Sequence, residues 1–325
     1  MKKFDSLLIY AYGGPESMED VEPFLQNIAQ GKRISQERLA EVLSHYALFD
    51  GRSPMNGAIR EFMRLWSEEV PEFPVFFGCR YAKPDLKETL RQMAMEGKRR
   101  PLVFIPSPFG GYLTTYFEKW TQVQKELANE LGEDAFPEAE FFPPFSENTH
   151  FLNAVSAGIS EVLAKISEER RNDAVLLFSI HSLPTALARR NGYEAEVLAA
   201  VKRLEARFPQ NRVLLGWQSA SAAPIPWLEP STLDVIQDPI IQDPIIQDPI
   251  IQDPIIQDHR VPGTAQPPLL LIPLGFPFEN MEVAYDLDVE ARELAESLGF
   301  PVFRVPTVGL RPEIRVMLQE YITAE

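Results

Sequence analysis

Leu269-Leu-Leu-Ile-Pro-Leu-Gly-Phe-Pro-Phe-Glu-Asn-Met-Glu-Val-Ala-Tyr-Asp-Leu-Asp-Val-Glu290 opens as a short apolar run and closes as a helical pattern. An uninterrupted apolar run of this length reads as a strand buried on both faces, as in parallel sheets. The chain then turns through Pro273–Pro277 and enters a helical pattern near Asn280. On an α-helical wheel of about 100° per residue, Glu279, Glu282, Asp286, Glu290 and Glu293 fall within roughly 80°. Met281, Ala284, Leu287, Ala291, Leu294 and Leu298 take the opposite side. Carboxylates four apart repel one another and weaken a helix. Such a row beyond a buried strand reads either as a solvated face or as a path for cations or protons.

The same alternation of apolar runs and helical patterns extends in both directions. Predicted strands are 6–11, 74–79, 102–106, 138–142, 173–180, 212–217, 269–274 and 301–305. Helical patterns lie between them near 17–29, 36–44, 56–70, 84–96, 112–131, 151–169 and 193–208, with a closing helix at 311–323. Strand–helix alternation with continuous apolar strands predicts an α/β fold with parallel sheets flanked by helices. Eight strands in two sets of four predict two similar domains, at 1–150 and 151–305, with the closing segment 306–325 packed on the first. Ligands in such folds sit beyond the carboxyl ends of the strands, so the strand exits are where function is sought.

Those exits carry distinctive residues. The first, Tyr10–Pro15, has a Gly13-Gly14 pair that permits a tight turn or close backbone approach. It lacks the G-x-G-x-x-G dinucleotide spacing. Tyr12 there either projects into the crevice or packs at a domain edge. Arg80 and Tyr81 follow the second strand, and an aromatic Gly/Pro-rich stretch, 105–116, follows the third. His181 is the one histidine of four that ends a core strand, a position suited to proton transfer or metal ligation, or satisfied by the following turn. Trp217 and Trp227, with small residues and prolines between them, line either an aromatic pocket or a packed loop.

Composition narrows the function classes. The 325 residues carry a net charge of −16, with 45% hydrophobic and 24% charged residues. That is an ordinary globular composition, and the acidic balance argues against a nucleic-acid partner. A single cysteine, Cys79, excludes an internal disulfide and a cysteine-bound zinc or iron–sulfur site. The amino-terminal Lys-Lys-Phe-Asp pattern reads as a first strand rather than a signal peptide. No apolar run reaches membrane-spanning length, so the expectation is a cytoplasmic protein without an integral membrane segment. From Val235 to His259 a five-residue unit repeats as VIQDP, IIQDP, IIQDP, IIQDP, IIQDH. Proline at the end of nearly every unit disfavours a continuous helix, and the segment reads as an extended excursion carrying no chemistry.

Six motifs then occur in order: Ala11-Tyr-Gly-Gly-Pro15, Asp50-Gly-Arg-Ser-Pro54, Gly78-Cys-Arg-Tyr81, Ser179-Ile-His-Ser-Leu-Pro184, Gly216-Trp-Gln-Ser219 and Gly275–Glu290. Together they resemble the ferrochelatases, over nearly the whole chain except about residues 235–265. The tyrosine-bearing start resembles the bacterial coproporphyrin III branch. The resemblance implies two Rossmann-like chelatase-type domains, each with a four-stranded parallel sheet, and a porphyrin cleft between them. It implies Fe²⁺ insertion into coproporphyrin III in haem biosynthesis, with two protons released. Protoporphyrin IX ferrochelatase is the alternative; a non-catalytic porphyrin carrier and a cobalt or nickel chelatase are further ones.

By the same resemblance, His181 and Glu282 are the catalytic pair beside the metal. Asp286 and Glu290 are accessory carboxylates, while Glu279 and Glu293 remain on the solvated face. Tyr12 faces the metal from the other side, and Gln30, His45, Tyr46, Ser53 and Tyr116 lie along the macrocycle. Arginines that the family often carries near Gln30 and Lys32 are absent, leaving Lys32 and Arg33 as the local charge. No tightly bound cofactor and no iron–sulfur cluster are expected, Fe²⁺ being a substrate, and the chain is expected to be a monomer.

Overall fold

The computed structural model describes residues 3–31, 33–131, 139–220, 225–237 and 266–324. Lys32, His259 and all of the pentapeptide repeat beyond Gln237 lie outside the described residues. Strands β1 (Ser6–Ala11), β2 (Val75–Cys79), β3 (Pro101–Phe104) and β4 (Glu140–Phe141) form one sheet in the order β2-β1-β3-β4. Strands β5 (Val175–His181), β6 (Arg212–Gln218), β7 (Leu269–Pro273) and β8 (Val302–Arg304) form a second in the order β6-β5-β7-β8. Every pairing is parallel. The two orders are the same pattern run twice, as the two sets of four strands predict.

The strands are where the apolar runs put them because both faces are covered. All six residues of β1 and all five of β7 are buried, and helices occupy the connections. In order these are α1 (Met18–Ala29), α2 (Gln36–Ala47), α3 (Met55–Glu69), α4 (Leu86–Met95), α5 (Leu113–Leu131) and α6 (Thr149–Leu163). The second half adds α7 (Glu168–Arg171), α8 (Thr185–Arg190), α9 (Tyr193–Glu205), α10 (Thr232–Gln237), α11 (Arg292–Ser297) and α12 (Pro312–Thr323). Helices α8 and α10 escape the sequence reading because six residues are too short to display a helical period. The helix predicted over 151–169 ends at Leu163 and resumes only as the single turn α7.

One hydrophobic cluster runs through both halves, from Leu7, Ile9, Phe62 and Trp66 to Phe178, Ile272 and Leu318. Phe62 of α3 meets Phe278 edge-on, with centroids 5.7 Å apart, joining the first half to the β7 exit loop. Helix α12 packs along α6 and also reaches back to the first half. Arg315 makes a forked pair with Glu69 (2.9 and 2.7 Å), and the Tyr321 hydroxyl donates to Glu140 (2.8 Å). The closing helix therefore straddles both halves rather than packing on the first alone. Among the described residues no helix is long and apolar enough to cross a membrane.

Topology positions the site. In each sheet the first strand sits between the second and third, so the connections diverge there and leave a crevice beyond the carboxyl end. Tyr12 follows β1 and His181 ends β5, the equivalent place in the two halves.

Candidate active site

His181 is oriented by its neighbours. Its Nδ1 lies 2.5 Å from the Ser182 carbonyl, and a carbonyl oxygen only accepts, so Nδ1 carries the proton. In the neutral ring Nε2 is then the basic nitrogen, and it lies 3.7 Å from Glu282 Oε1. The Tyr193 hydroxyl donates to the His181 backbone carbonyl (2.8 Å), holding the strand end in place. A base and a carboxylate thus face one space from two different strand exits.

Glu282 stands where the second helical pattern begins, and that helix is not α. Residues Val283–Ala291 form a π-helix, whose i→i+5 bonding gives a wider coil. The wheel drawn at α-helical pitch is corrected accordingly: the five acidic residues do not form one arc. Glu279 ion-pairs with Arg304 (2.8 Å) and accepts from Thr307 Oγ1 (3.0 Å), so it is a structural anchor and not part of a solvated face. Arg304 also holds Asp288 (3.1 Å). Glu293 is exposed.

Asp286 is turned inward. It accepts from Gln218 Nε2 (3.2 Å) and from the Ser219 hydroxyl. Gln218 also donates to the Glu282 backbone carbonyl (3.4 Å), and its own Oε1 accepts from Ser179 (2.6 Å), which is bonded to Thr232 (2.8 Å). This buried chain links β5, β6 and α10 to the π-helix. Sequence reading names Gly216–Ser219 as a motif but gives Gln218 and Ser219 no task. Gly216 makes the chain possible, since a Cβ there would lie 2.6 Å from Thr232 Cα.

Burial, reinforced by the charge of Glu282, pushes the Asp286 carboxyl up to about 7. A carboxyl whose folded pKa is raised binds its proton more tightly folded than unfolded, so stability falls as pH rises between about 4 and 7. Asp286→Asn is expected to flatten that dependence and raise Tm at pH 8 relative to the parent; thermal melts at pH 5, 6.5 and 8 check it. A parent whose Tm does not fall over that range, with the variant tracking it, would refute the assignment. Glu290 lies further along the helix, its carboxyl shifted upward by partial burial and by Glu41. Among the described residues, no three His, Cys, Asp or Glu side chains gather closely enough to hold a metal ion.

Across the cleft, Tyr12 packs edge-on against Tyr81 (4.8 Å) and Phe24 (6.0 Å). Burial, then the charge of Glu282, holds its hydroxyl well above the usual range. Tyr46 is buried and shifted upward by the same two causes. His45 stacks on Tyr285 of the π-helix, centroids 3.7 Å apart and planes 15° from parallel. Gln30 sits in a left-handed conformation at the end of α1 and donates to the Tyr81 hydroxyl (3.5 Å). Ser53 and Tyr116 are not open to the cleft. Ser53 is buried against Gly14 and accepts from the Met55 amide (3.4 Å). Tyr116 packs edge-on to Tyr10 (5.0 Å) in a core cluster of the first half. Trp217 belongs to packed structure, buried beside Tyr193 (6.0 Å).

A cavity of about 810 Å³ opens beside this wall, between α1 and α5, lined in part by Phe24, Gln30, Arg80 and Tyr81 but not by His181 or Glu282.

Two matching four-stranded parallel sheets flanked by helices give the chain a chelatase-type α/β fold. SirB from Bacillus subtilis, solved with Fe³⁺, shares the fold at a TM-score of 0.54 and 9% identity, over 98% of this chain and 95% of that one. The ferrochelatase family model matches residues 5–243 and 253–325. The coproporphyrin III ferrochelatase of Frankia alni is 34% identical over 98% of this chain and 79% of its own length. That of Streptomyces coelicolor is 33% identical over 98% and 84%. The chain belongs to the ferrochelatase family, the porphyrin metal chelatases.

Proposed function

We propose that the protein inserts Fe²⁺ into coproporphyrin III, yielding the iron porphyrin of haem biosynthesis and two protons. The observation that carries this reading is the His181–Glu282 pair, 3.7 Å apart, with Nδ1 engaged by a carbonyl. Metallation requires removal of two pyrrole protons, and a neutral imidazole is a base suited to neutral pH. Imidazole and carboxylate are both ligands for Fe²⁺, so the pair serves as the last station of the metal. Glu282 and Glu290 place negative charge along the helix, joined by Asp286 as its carboxyl ionises near pH 7, favouring a cation's approach. Tyr12, Gln30, His45 and Tyr46 act as the porphyrin-facing residues, with Ser53 and Tyr116 supporting that wall from behind.

The named relatives support coproporphyrin III as the macrocycle. On this reading the protein works as a monomer and Fe²⁺ is its substrate rather than a resident cofactor. An anaerobic absorbance assay offering Fe²⁺ with coproporphyrin III or protoporphyrin IX tests the reading. Coproporphyrin III is expected to give the higher kcat/KM, by about tenfold or more, as one or two charge-assisted contacts would produce. Faster protoporphyrin turnover would overturn the choice of macrocycle, and porphyrin binding without metallation would make the protein a carrier.

A further inference from the structure

Among the described residues, no carboxylate pairs with the buried Arg80 of the cavity between α1 and α5. Arg80 is 9% exposed. Its Nη1 donates to Thr115 Oγ1 (2.6 Å), while its Nε is buried without a hydrogen-bond acceptor. The guanidinium lies 4.5 Å from the Tyr81 ring centroid and 5.2 Å from that of Tyr116. Two aromatic faces and one hydroxyl do not replace the counter-charge that a buried guanidinium ordinarily requires.

Three of the carboxylates lining the cavity are committed elsewhere, and the fourth, Glu118, is exposed to solvent. Glu16 accepts from Asn56 (3.0 Å) and pairs with Arg60. Asp85 caps α4 by accepting from the Lys87 amide (2.8 Å), and Asp20 accepts from the Ser17 hydroxyl (2.7 Å). Half-buried Lys119 lines the same space. A volume of about 810 Å³ is that of a small-molecule site. Tyr81 forms part of its lining and touches Tyr12, so the cavity adjoins the wall facing His181 and Glu282.

We propose that this cavity receives a carboxylate arm of the tetrapyrrole, with Arg80 as its forked partner and Lys119 as a second cation. The inference rests on the proposed porphyrin substrate and names the residue that selects for its charge. A planar guanidinium pairs with a carboxylate through two parallel hydrogen bonds, and the Tyr81 ring 4.5 Å away holds it in place.

The test titrates the full chain, in wild-type, Arg80→Gln, Arg80→Lys and Lys119→Gln forms, with three metal-free porphyrins: coproporphyrin III, protoporphyrin IX and a carboxylate-free octaalkyl porphyrin. Arg80→Gln is expected to weaken coproporphyrin III binding about 10- to 100-fold, the range for a charge-assisted contact. Arg80→Lys should lose less, and the carboxylate-free porphyrin should bind all four proteins alike. Lys119→Gln, on a helix surface where folding is not at stake, should weaken only the carboxylate-bearing porphyrins. Equal losses for all three porphyrins would mark Arg80 as structural and overturn the proposal, as would unchanged coproporphyrin binding. Inorganic phosphate that stabilises wild type but not Arg80→Gln, without competing with coproporphyrin, would make this a separate phosphate site and also overturn it. A wild type that binds none of the porphyrins would instead refute the substrate reading itself.

Discussion

Glu282→Gln is expected to lower Fe²⁺ insertion by about 10²- to 10⁴-fold, the usual contribution of a positioned proton-transfer group, while leaving porphyrin affinity within about threefold. The substitution keeps the side chain's shape and removes its charge. It also leaves the supporting network intact, because Gln218 bonds the backbone carbonyl of Glu282 and not its carboxylate. Any loss therefore reports on the carboxylate itself. His181→Ala should cost a similar factor, and the double variant should cost little more than either single one, since the two groups act on one proton and metal path. Anaerobic initial rates, paired with porphyrin fluorescence quenching, separate turnover from binding. Turnover that survives in both single variants would remove the pair from the chemistry.

Phe62→Ala should destabilise the protein by about 3–5 kcal/mol, the range for emptying a fully buried aromatic position. Phe62 is 0% exposed and packs against Trp66, centroids 6.2 Å apart, and edge-on to Phe278 of the second half. The space left behind has little chance to collapse. Gly309 already closes on Phe278 so tightly that an added Cβ would lie 2.5 Å from its ring, so Phe278 is held from both sides. Because one apolar cluster runs through both halves, the variant should still unfold in a single transition at lower denaturant. Urea unfolding followed by fluorescence and by circular dichroism decides this. Two separated transitions would show that each half carries its own stability.

The inner strands are readable because they are short, apolar and buried; β7 is buried throughout and stands in the sequence as Leu-Leu-Leu-Ile-Pro, whereas the edge strands β4 and β8 are only partly buried. His181 is readable for the same reason, as the one polar aromatic terminating such a run. The π-helix is not. Its hydrogen bonds reach one residue further along the chain than those of an α-helix, and no residue type in Val283–Ala291 announces it; the pattern of apolar and acidic residues fits either coil approximately. The role of Glu279 stays hidden because its partner Arg304 lies far along the chain, in β8. Gln218 and Ser219 stay hidden because orienting residues act through geometry, and Gln beside Ser in a strand exit is compatible with any turn. Ser53 and Tyr116, taken from resemblance, are both buried, one against Gly14 and the other edge-on to Tyr10.

The His45–Tyr285 stack ties the two halves of the chain together. It joins α2 of one half to the π-helix of the other, with centroids 3.7 Å apart. An aromatic pair of this kind contributes about 1 kcal/mol beyond its buried area, a roughly fivefold bias toward the paired arrangement. A bias that small fastens the two walls without locking them.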